Sequence, residues 1–415
     1  MINRPEYLDT LIRWKNHDDM IKVVTGVRRC GKSTLFLLFQ DYLKKNGVSE
    51  KQILGINLEL AENAKFLDWR VLYDYVKEQA LTDKMNYVFL DEIQMVPQYQ
   101  RAVNGLRLRK NIDVYVTGSN AYMFSQKLTT LLSGRYIEIQ MLPLSFKEYM
   151  SAFPGADENS PDKQFNDYVT RGSFPQTLNF YNAENEFDQL MWNNYMDSLY
   201  NTIIVKDIMA RQGIQEISKL NRVIKFMFGN IGSETSLTNI SNVINNDLKL
   251  KPAESKIHVQ TIEKYLDALL DGYVFYKASP AYLKGKAMLR SNAKYYASDA
   301  GLRYFLLGGG LREDAGHILE NIVYLELKRR GYNLQFGKVG GEEVDFVAAQ
   351  PGGRVEYYQV AQSVLSEETL NRELAPLQAI KDNYPKYLLT RDYNNTNYQG
   401  IRHINVLQWL LRRTD

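Results

Sequence analysis

The chain has 415 residues, of which 45% are hydrophobic and 24% charged, so disorder, collagen and a coiled-coil rod are excluded as readings of the whole. At ~150 residues per domain this length predicts two to three domains, each able to bury a core. Lys plus Arg stand at 51 against 48 for Asp plus Glu, so any nucleic-acid surface must be a local patch. No apolar run approaches the ~18 residues of a membrane span. The N-terminus MINRPEYLDT lacks a secretory apolar core, and a single cysteine forms no internal disulfide. A cytoplasmic protein with no membrane contact is the expectation.

In chain order, KVVTGV (22–27) predicts a strand ending in glycine, and KSTLFLLFQDYLKKNG (32–47) a helix stopped at Gly47. ILGINLEL (53–60), NYVFLDE (86–92), DVYVTGS (113–119) and YIEIQML (136–142) predict four more strands. Strands separated by helical stretches imply a parallel sheet with helices on both faces, ending at Pro143. Residues 144–218 read as a mainly helical connector, interrupted by the turn RGSFPQTL (171–178). Residues 219–310 show three helical patches, then two apolar segments around the basic connection AYLKGKAMLRSN, which is the layout of a winged helix-turn-helix. Residues 311–415 begin with the amphipathic helix HILENIVYLELKRRG (317–331). The short strands NLQFGK, EEVDFVAAQ and VEYYQVAQ, a helix and the strand KYLLT follow.

GVRRCGKST (26–34) satisfies G-x-x-x-x-G-K-[ST], between a strand and a helix. Gly26 and Gly31 let backbone N–H groups turn in around phosphates, Lys32 brings a cation, and the helix start adds positive dipole. Val27, Arg28, Arg29, Cys30 and Thr34 complete the loop, and the Ser33 hydroxyl is placed to ligate Mg²⁺. FLDE (89–92) ends an apolar strand in two acids. Asp91 suits the Mg²⁺-organising carboxylate of a strand beside the phosphate loop, and Glu92 a general base for the attacking water. VTGSN (116–120) places Ser119 or Asn120 where a polar group would hold that water. Arg135, just before the fifth strand, is a candidate arginine finger for a neighbouring subunit.

With GVRRCGKSTL, FLDEIQ, VTGSNA, LSGRYIEIQMLPLSFKEY, RGSFPQ and VDF…YYQVAQS in this order, the chain resembles a large group of prokaryotic AAA-type ATPases carrying a C-terminal winged helix and a degenerate PD-(D/E)XK nuclease-like region. The resemblance spans nearly the whole chain. It implies an α/β P-loop NTPase sheet over 1–143, a helical connector over 144–218, a winged helix over 219–310 and a restriction-endonuclease-like α/β domain over 311–415. It also implies ATP hydrolysis through Lys32, Ser33, Asp91, Glu92 and Asn120, with Arg135 acting between subunits of a homo-oligomer. ATP and Mg²⁺ are the expected cofactors. The group supplies no settled biological role.

Residues 219–310 carry thirteen Lys+Arg against seven Asp+Glu. The proposed wing holds Lys277, Lys284, Lys286, Arg290 and Lys294 with no acid between Gly272 and Ser298. Such a ribbon suits a phosphate backbone, with Gln260, Thr261 and Lys264 of the recognition helix as further contacts; packing against protein is the alternative use. In the last module Glu320 and Asp345 fit a nuclease site. The triplet that should carry an acid and a lysine reads Gln359-Val360-Ala361, so an inactive nuclease fold is expected, with Gln362 a partial substitute. Cys30, near Arg28, Arg29 and Lys32, is either a redox-sensitive thiol of lowered pKa or a small filler. The function expected is a Mg²⁺-dependent ATPase acting as an oligomeric switch or motor, with DNA as a candidate ligand. The alternatives are a slow nucleotide-gated DNA-binding regulator or scaffold, and a Mg²⁺-dependent nuclease.

Overall fold

The computed structural model describes residues 2–121, 134–153, 161–182, 184, 186–209, 213–247, 256–282, 292–309, 314–339 and 342–412. The chain divides into two compact units, Met1–Pro143 with Asp271–Tyr273, and Leu144–Leu270 with Val274–Asp415. Among the described residues no helix is long and apolar enough to cross a membrane.

Unit 1 runs α1 (Pro5–Arg13), β1 (Ile21–Thr25), α2 (Lys32–Lys45), β2 (Ile53–Asn57), α3 (Trp69–Gln79), β3 (Asn86–Asp91), α4 (Tyr99–Arg107), β4 (Ile112–Gly118) and β5 (Tyr136–Gln140). The five strands form one parallel sheet in the order β2-β3-β4-β1-β5. β3 and β4 are buried along their whole length, as a sheet covered on both faces requires. Strand pleating sorts the side chains. Val88, Leu90, Val114 and Val116 pack with Leu72, Val76, Val103 and Leu106 of α3 and α4. Phe89 and Tyr115 point the other way and meet Phe36 and Phe39 of α2, with ring centroids 5.2 Å apart for Phe36–Phe89 and for Phe39–Tyr115.

β3 is not beside the strand that feeds the phosphate loop, because β4 lies between them. The C-terminal end of β4 therefore faces the gap between loop and acids.

In unit 2, α5 (Phe146–Met150), α6 (Asp162–Arg171), α7 (Gln189–Asn201), α8 (Ile217–Gly229), α9 (Leu237–Asp247) and α10 (Val259–Asp271) lead into β6 (Phe275–Tyr282) and β7 (Lys294–Ala297). Then come α11 (Ala300–Leu307), α12 (Ala315–Arg329), β8 (Asn333–Val339), β9 (Glu342–Ala349), β10 (Val355–Val360), α13 (Glu367–Ala379), β11 (Lys386–Thr390), β12 (Thr396–Tyr398), β13 (Ile401–Asn405) and α14 (Val406–Leu410). The eight strands form one sheet in the order β12-β13-β11-β10-β9-β8-β6-β7. The first half of β6 pairs antiparallel with β7, and its second half runs parallel to β8.

The RGSFPQ turn is held by a residue far along the chain. The buried Asp299 carboxylate accepts from the Ser173 N–H and hydroxyl, both at 2.6 Å, and caps α11 through the Leu302 N–H at 2.6 Å. Gly172 (φ 91°) and Gly301 cross at this point, and a Cβ on Gly301 would lie 2.3 Å from the Gly172 nitrogen. The atoms in the way of Gly301 are backbone, whereas a Cβ on Gly172 would meet the Asp299 carboxylate at 2.7 Å, so the crossing cannot yield cheaply at Gly301. Gly301→Ala should lower the stability of unit 2 by at least the ~1–3 kcal/mol of ordinary overpacking, read as a shift of the chemical-denaturation midpoint. An unchanged midpoint would show that the crossing is loose.

Candidate functional site: the nucleotide loop and the acids facing it

The glycines of the loop are required by geometry. Gly26 has φ 144°, and a Cβ there would sit 2.1 Å from the Met141 carbonyl oxygen. Gly31, φ 107°, is the N-cap from which α2 starts, so Lys32 opens the helix. The buried Lys32 ammonium donates to the Gly26 carbonyl (3.1 Å) and the Val27 carbonyl (3.3 Å), and lies 3.8 Å from Glu92 Oε1. Arg29 adopts φ 64°, and Arg28 grips Glu59 through both guanidinium NH groups at 2.9 Å. Ser33 is exposed and Thr34 half-buried on the first turn of α2.

The loop is braced from behind by a residue that sequence reasoning missed. Arg4, 3% exposed, donates to the Cys30 carbonyl (3.0 Å) and the Leu142 carbonyl (2.7 Å). Its guanidinium lies 4.9 Å from the Tyr7 ring centroid, and the Tyr7 hydroxyl accepts from the Leu142 N–H at 3.1 Å. The only available signal was an arginine directly before a proline-initiated helix. The Cys30 thiol is buried against the Gly26 turn, and burial pushes its pKa up. Of the two readings of Cys30, this matches the small filler and not the thiol of lowered pKa: desolvation outweighs the charges of Lys32 and Arg4.

Asp91 and Glu92 leave the end of β3 in different surroundings. The Ser33 and Thr117 hydroxyls both hydrogen-bond to Asp91; burial still lifts its pKa above the ordinary carboxylate value. Glu92 takes a left-handed backbone, φ 54°, with its N–H on the Thr117 hydroxyl at 2.8 Å. Its carboxylate is buried, which alone would raise its pKa; Lys32, Arg28 and donors from Gln94 and Ser119 outweigh that and hold it low. Ser119 Oγ donates to Glu92 Oε2 at 3.2 Å, and Gln94 Nε2 donates to the same oxygen. Asn120 follows on the β4 end and is buried. Gln94 was visible in FLDEIQ and Thr117 in VTGSN, but neither was singled out.

Arg135 is exposed at the start of β5, and its carbonyl accepts from the Ile21 N–H at 3.0 Å. Tyr136 pairs with Ile21, the first residue of β1, whereas the loop leaves β1 at its far end. A five-residue strand at ~3.3 Å per residue puts Arg135 about 16 Å from its own loop.

The basic ribbon divides. Lys277 is exposed on β6, and Gln260 and Lys264 are exposed on α10, with Thr261 half-buried. Lys284, Lys286 and Arg290 lie outside the described residues. Lys294 is no surface cation. It is 2% exposed, and its ammonium lies 3.0 Å from Glu320 Oε1, 2.6 Å from Glu343 Oε1 and 3.9 Å from Asp345 Oδ1. The Tyr296 hydroxyl also donates to Glu320 Oε1, at 2.7 Å. Burial would lower the Lys294 pKa, but the three carboxylates together hold it above its ordinary value. Asp345 is pushed well up by burial and by the Glu320 charge. Gln359 is committed to Glu373 (3.0 Å) and to the Asp345 N–H (3.3 Å). Gln362 donates to the Ala315 carbonyl, so it does not stand in for the missing triplet lysine.

Residues 18–150 match the model of an AAA domain, and residues 162–313 that of a domain of unknown function (DUF8612). An uncharacterized protein of Haemophilus influenzae is 38% identical over 416 residues, covering 99% of each chain. The uncharacterized protein MJ1544 of Methanocaldococcus jannaschii is 28% identical over 383 residues, covering 87% of this chain and 79% of that one. Among solved structures, the Aeropyrum pernix ORC2 protein, in ADPNP and ADP complexes, matches at 10% identity with a TM-score of 0.37, over 78% of this chain and 93% of that one. The chain belongs to the family of the Haemophilus influenzae protein, and its first unit is a P-loop AAA domain.

Proposed function

We propose that the chain is a Mg²⁺-dependent ATPase that works as an oligomeric, nucleotide-driven switch or motor. The observation that carries this reading is the facing arrangement of Lys32 and Ser33 on the loop and Asp91 and Glu92 on β3. In it the loop N–H groups and Lys32 bind and orient the phosphates. A hydroxyl and a carboxylate already in contact are the hard oxygen donors that Mg²⁺ takes, so Ser33 and Asp91 fit it. When bound, that ion would neutralise charge developing on the phosphate oxygens. Glu92, ionised at neutral pH, takes the proton of the attacking water, and Asn120 with Ser119 orients it. Arg4 keeps the Cys30 carbonyl of the loop in place.

Lys32→Ala should abolish ATP binding, since the loop loses its one side-chain cation aimed at the phosphates. Glu92→Gln should bind ATP with parent-like affinity and lose turnover by about 10²–10⁴-fold, the usual worth of a general base. Calorimetric titration and a phosphate-release assay measure both. Parent-like hydrolysis by Glu92→Gln removes the base assignment.

Arg135 lies at the wrong end of the sheet to serve its own loop, which favours action on a neighbouring subunit. Arg135→Ala should keep ATP affinity and lose about 10³-fold in turnover. Mixed with Lys32→Ala protein it should regain activity at interfaces that pair an intact loop with an intact arginine. No recovery in mixed oligomers confirmed by native mass spectrometry sinks the trans-acting arm of the proposal.

We read the C-terminal module as a nuclease-like fold that does not cut. Lys294 sits among the acids where a nuclease would hold Mg²⁺, so the chain supplies its own cation. Lys294→Met should then destabilise unit 2 by about 3–5 kcal/mol, because the buried Glu320 carboxylate loses its counter-charge. The parent should leave duplex DNA intact in Mg²⁺ or Mn²⁺, and cleavage that survives Glu92→Gln but not Asp345→Ala would overturn this. As a DNA ligand surface, Lys277, Gln260 and Lys264 remain exposed candidates; stimulation of turnover by duplex DNA, lost at high salt, is the corresponding signature.

A further inference from the structure

Glu92 has two carboxylate oxygens in different company. Oε2 receives both donors, the Gln94 amide and the Ser119 hydroxyl at 3.2 Å, while Oε1 faces the Lys32 ammonium at 3.8 Å. Gln94 Nε2 also lies 3.2 Å from Ser119 Oγ, so amide, hydroxyl and carboxylate close a triangle. The amide orientation is dictated by its partner: an ionised carboxylate only accepts, so the NH₂ must face it and a flipped amide would set oxygen against oxygen. One atom is left over. Gln94 Oε1 is buried and has no hydrogen-bond donor among the described residues. A buried acceptor without a donor is costly, and such an atom beside a strained acid calls for a hydrogen that arrives with the reaction.

We infer that Gln94 is a positioning residue for hydrolysis: its amide nitrogen pins Glu92 Oε2 against Ser119, and its amide oxygen accepts one hydrogen of the attacking water. This rests on the ATPase reading above. Glu92 Oε1 is then the atom that takes the water's other proton. The water oxygen bonds to the γ-phosphorus as the bond from that phosphorus to the β–γ bridging oxygen breaks. The bridging oxygen keeps the electron pair and leaves on ADP. Gln94 transfers nothing; it fixes the direction of the base and of the water.

The test uses the full chain in four forms: parent, Glu92→Gln, Gln94→Met and Ser119→Ala. Saturating turnover, ATP dissociation constant and melting temperature are measured for each. Gln94→Met keeps the length of the side chain and removes both hydrogen-bonding ends. It should lower kcat by about 10- to 100-fold, the worth of a hydrogen bond to a charged group, with Kd and melting temperature unchanged. Ser119→Ala should lose less, because Gln94 still holds Oε2. If Gln94→Met shifts the melting temperature, Gln94→Glu keeps the shape, opposes Glu92 with a second carboxylate and carries the same expectation of a kcat loss. A parent-like or raised kcat in Gln94→Met, while Glu92→Gln is inactive, overturns the inference and leaves the ATPase reading standing. A parallel loss of ATP affinity also overturns it, because the residue would then serve binding. A parent that does not hydrolyse ATP takes both down.

Discussion

One strand's width governs the first unit. β4 separates the strand that feeds the phosphate loop from the strand that ends in the acids, so these stand two strand spacings, about 10 Å, apart. That gap is bridged only by side chains long enough to cross it and by the end of β4 itself. Lys32 reaches across from one side until it lies 3.8 Å from Glu92. From the middle, Thr117 meets Asp91 and the Glu92 N–H, and Ser119 meets the Glu92 carboxylate. Behind the loop, Arg4 ties Cys30 to Leu142, and Gly26 lies flat against Met141. A sheet with the two key strands adjacent would have no place for the β4 residues, and Glu92 would lose the Ser119 hydroxyl and the Thr117 contact to its N–H.

Much of this was legible because it is local. The loop announces itself in nine consecutive residues, and the acids follow an unbroken apolar strand. The five strands and most helices show in alternation and glycine stops. What was not legible depends on strand order and on partners distant in sequence. Nothing in FLDE says that β4 will lie between it and the loop. Arg4 matters through carbonyls 26 and 138 residues away, and backbone carbonyls leave no trace in side-chain patterns. The final β12, β13 and α14 escaped for another reason. Their strands are short, and β12 carries no buried residue to mark it.

Lys294 shows why charge counts fail at a particular residue. In the sequence it is one more cation in an acid-free basic stretch. In the fold, β7 is buried along its length and turns that lysine inward, toward acids on α12 and β9. Gln359-Val360-Ala361 on β10 carries no lysine, yet an ammonium from a different strand stands among Glu320, Glu343 and Asp345. Counting surface charge from composition assigns every lysine to solvent. Only burial distinguishes one that is the counter-ion of a core.

The Asp299 clasp orders events in time as well as in space. Ser173 and the aspartate that holds it are 126 residues apart. At ribosomal speeds of roughly 5–20 residues per second, the RGSFPQ turn waits about 6–25 s for its partner to be made. During that interval α6 and α7 have left the ribosome while α11, which completes their packing, has not been synthesised. Unit 2 is thus finished late, and its early helices are the stretch of nascent chain with most need of protection from mispairing.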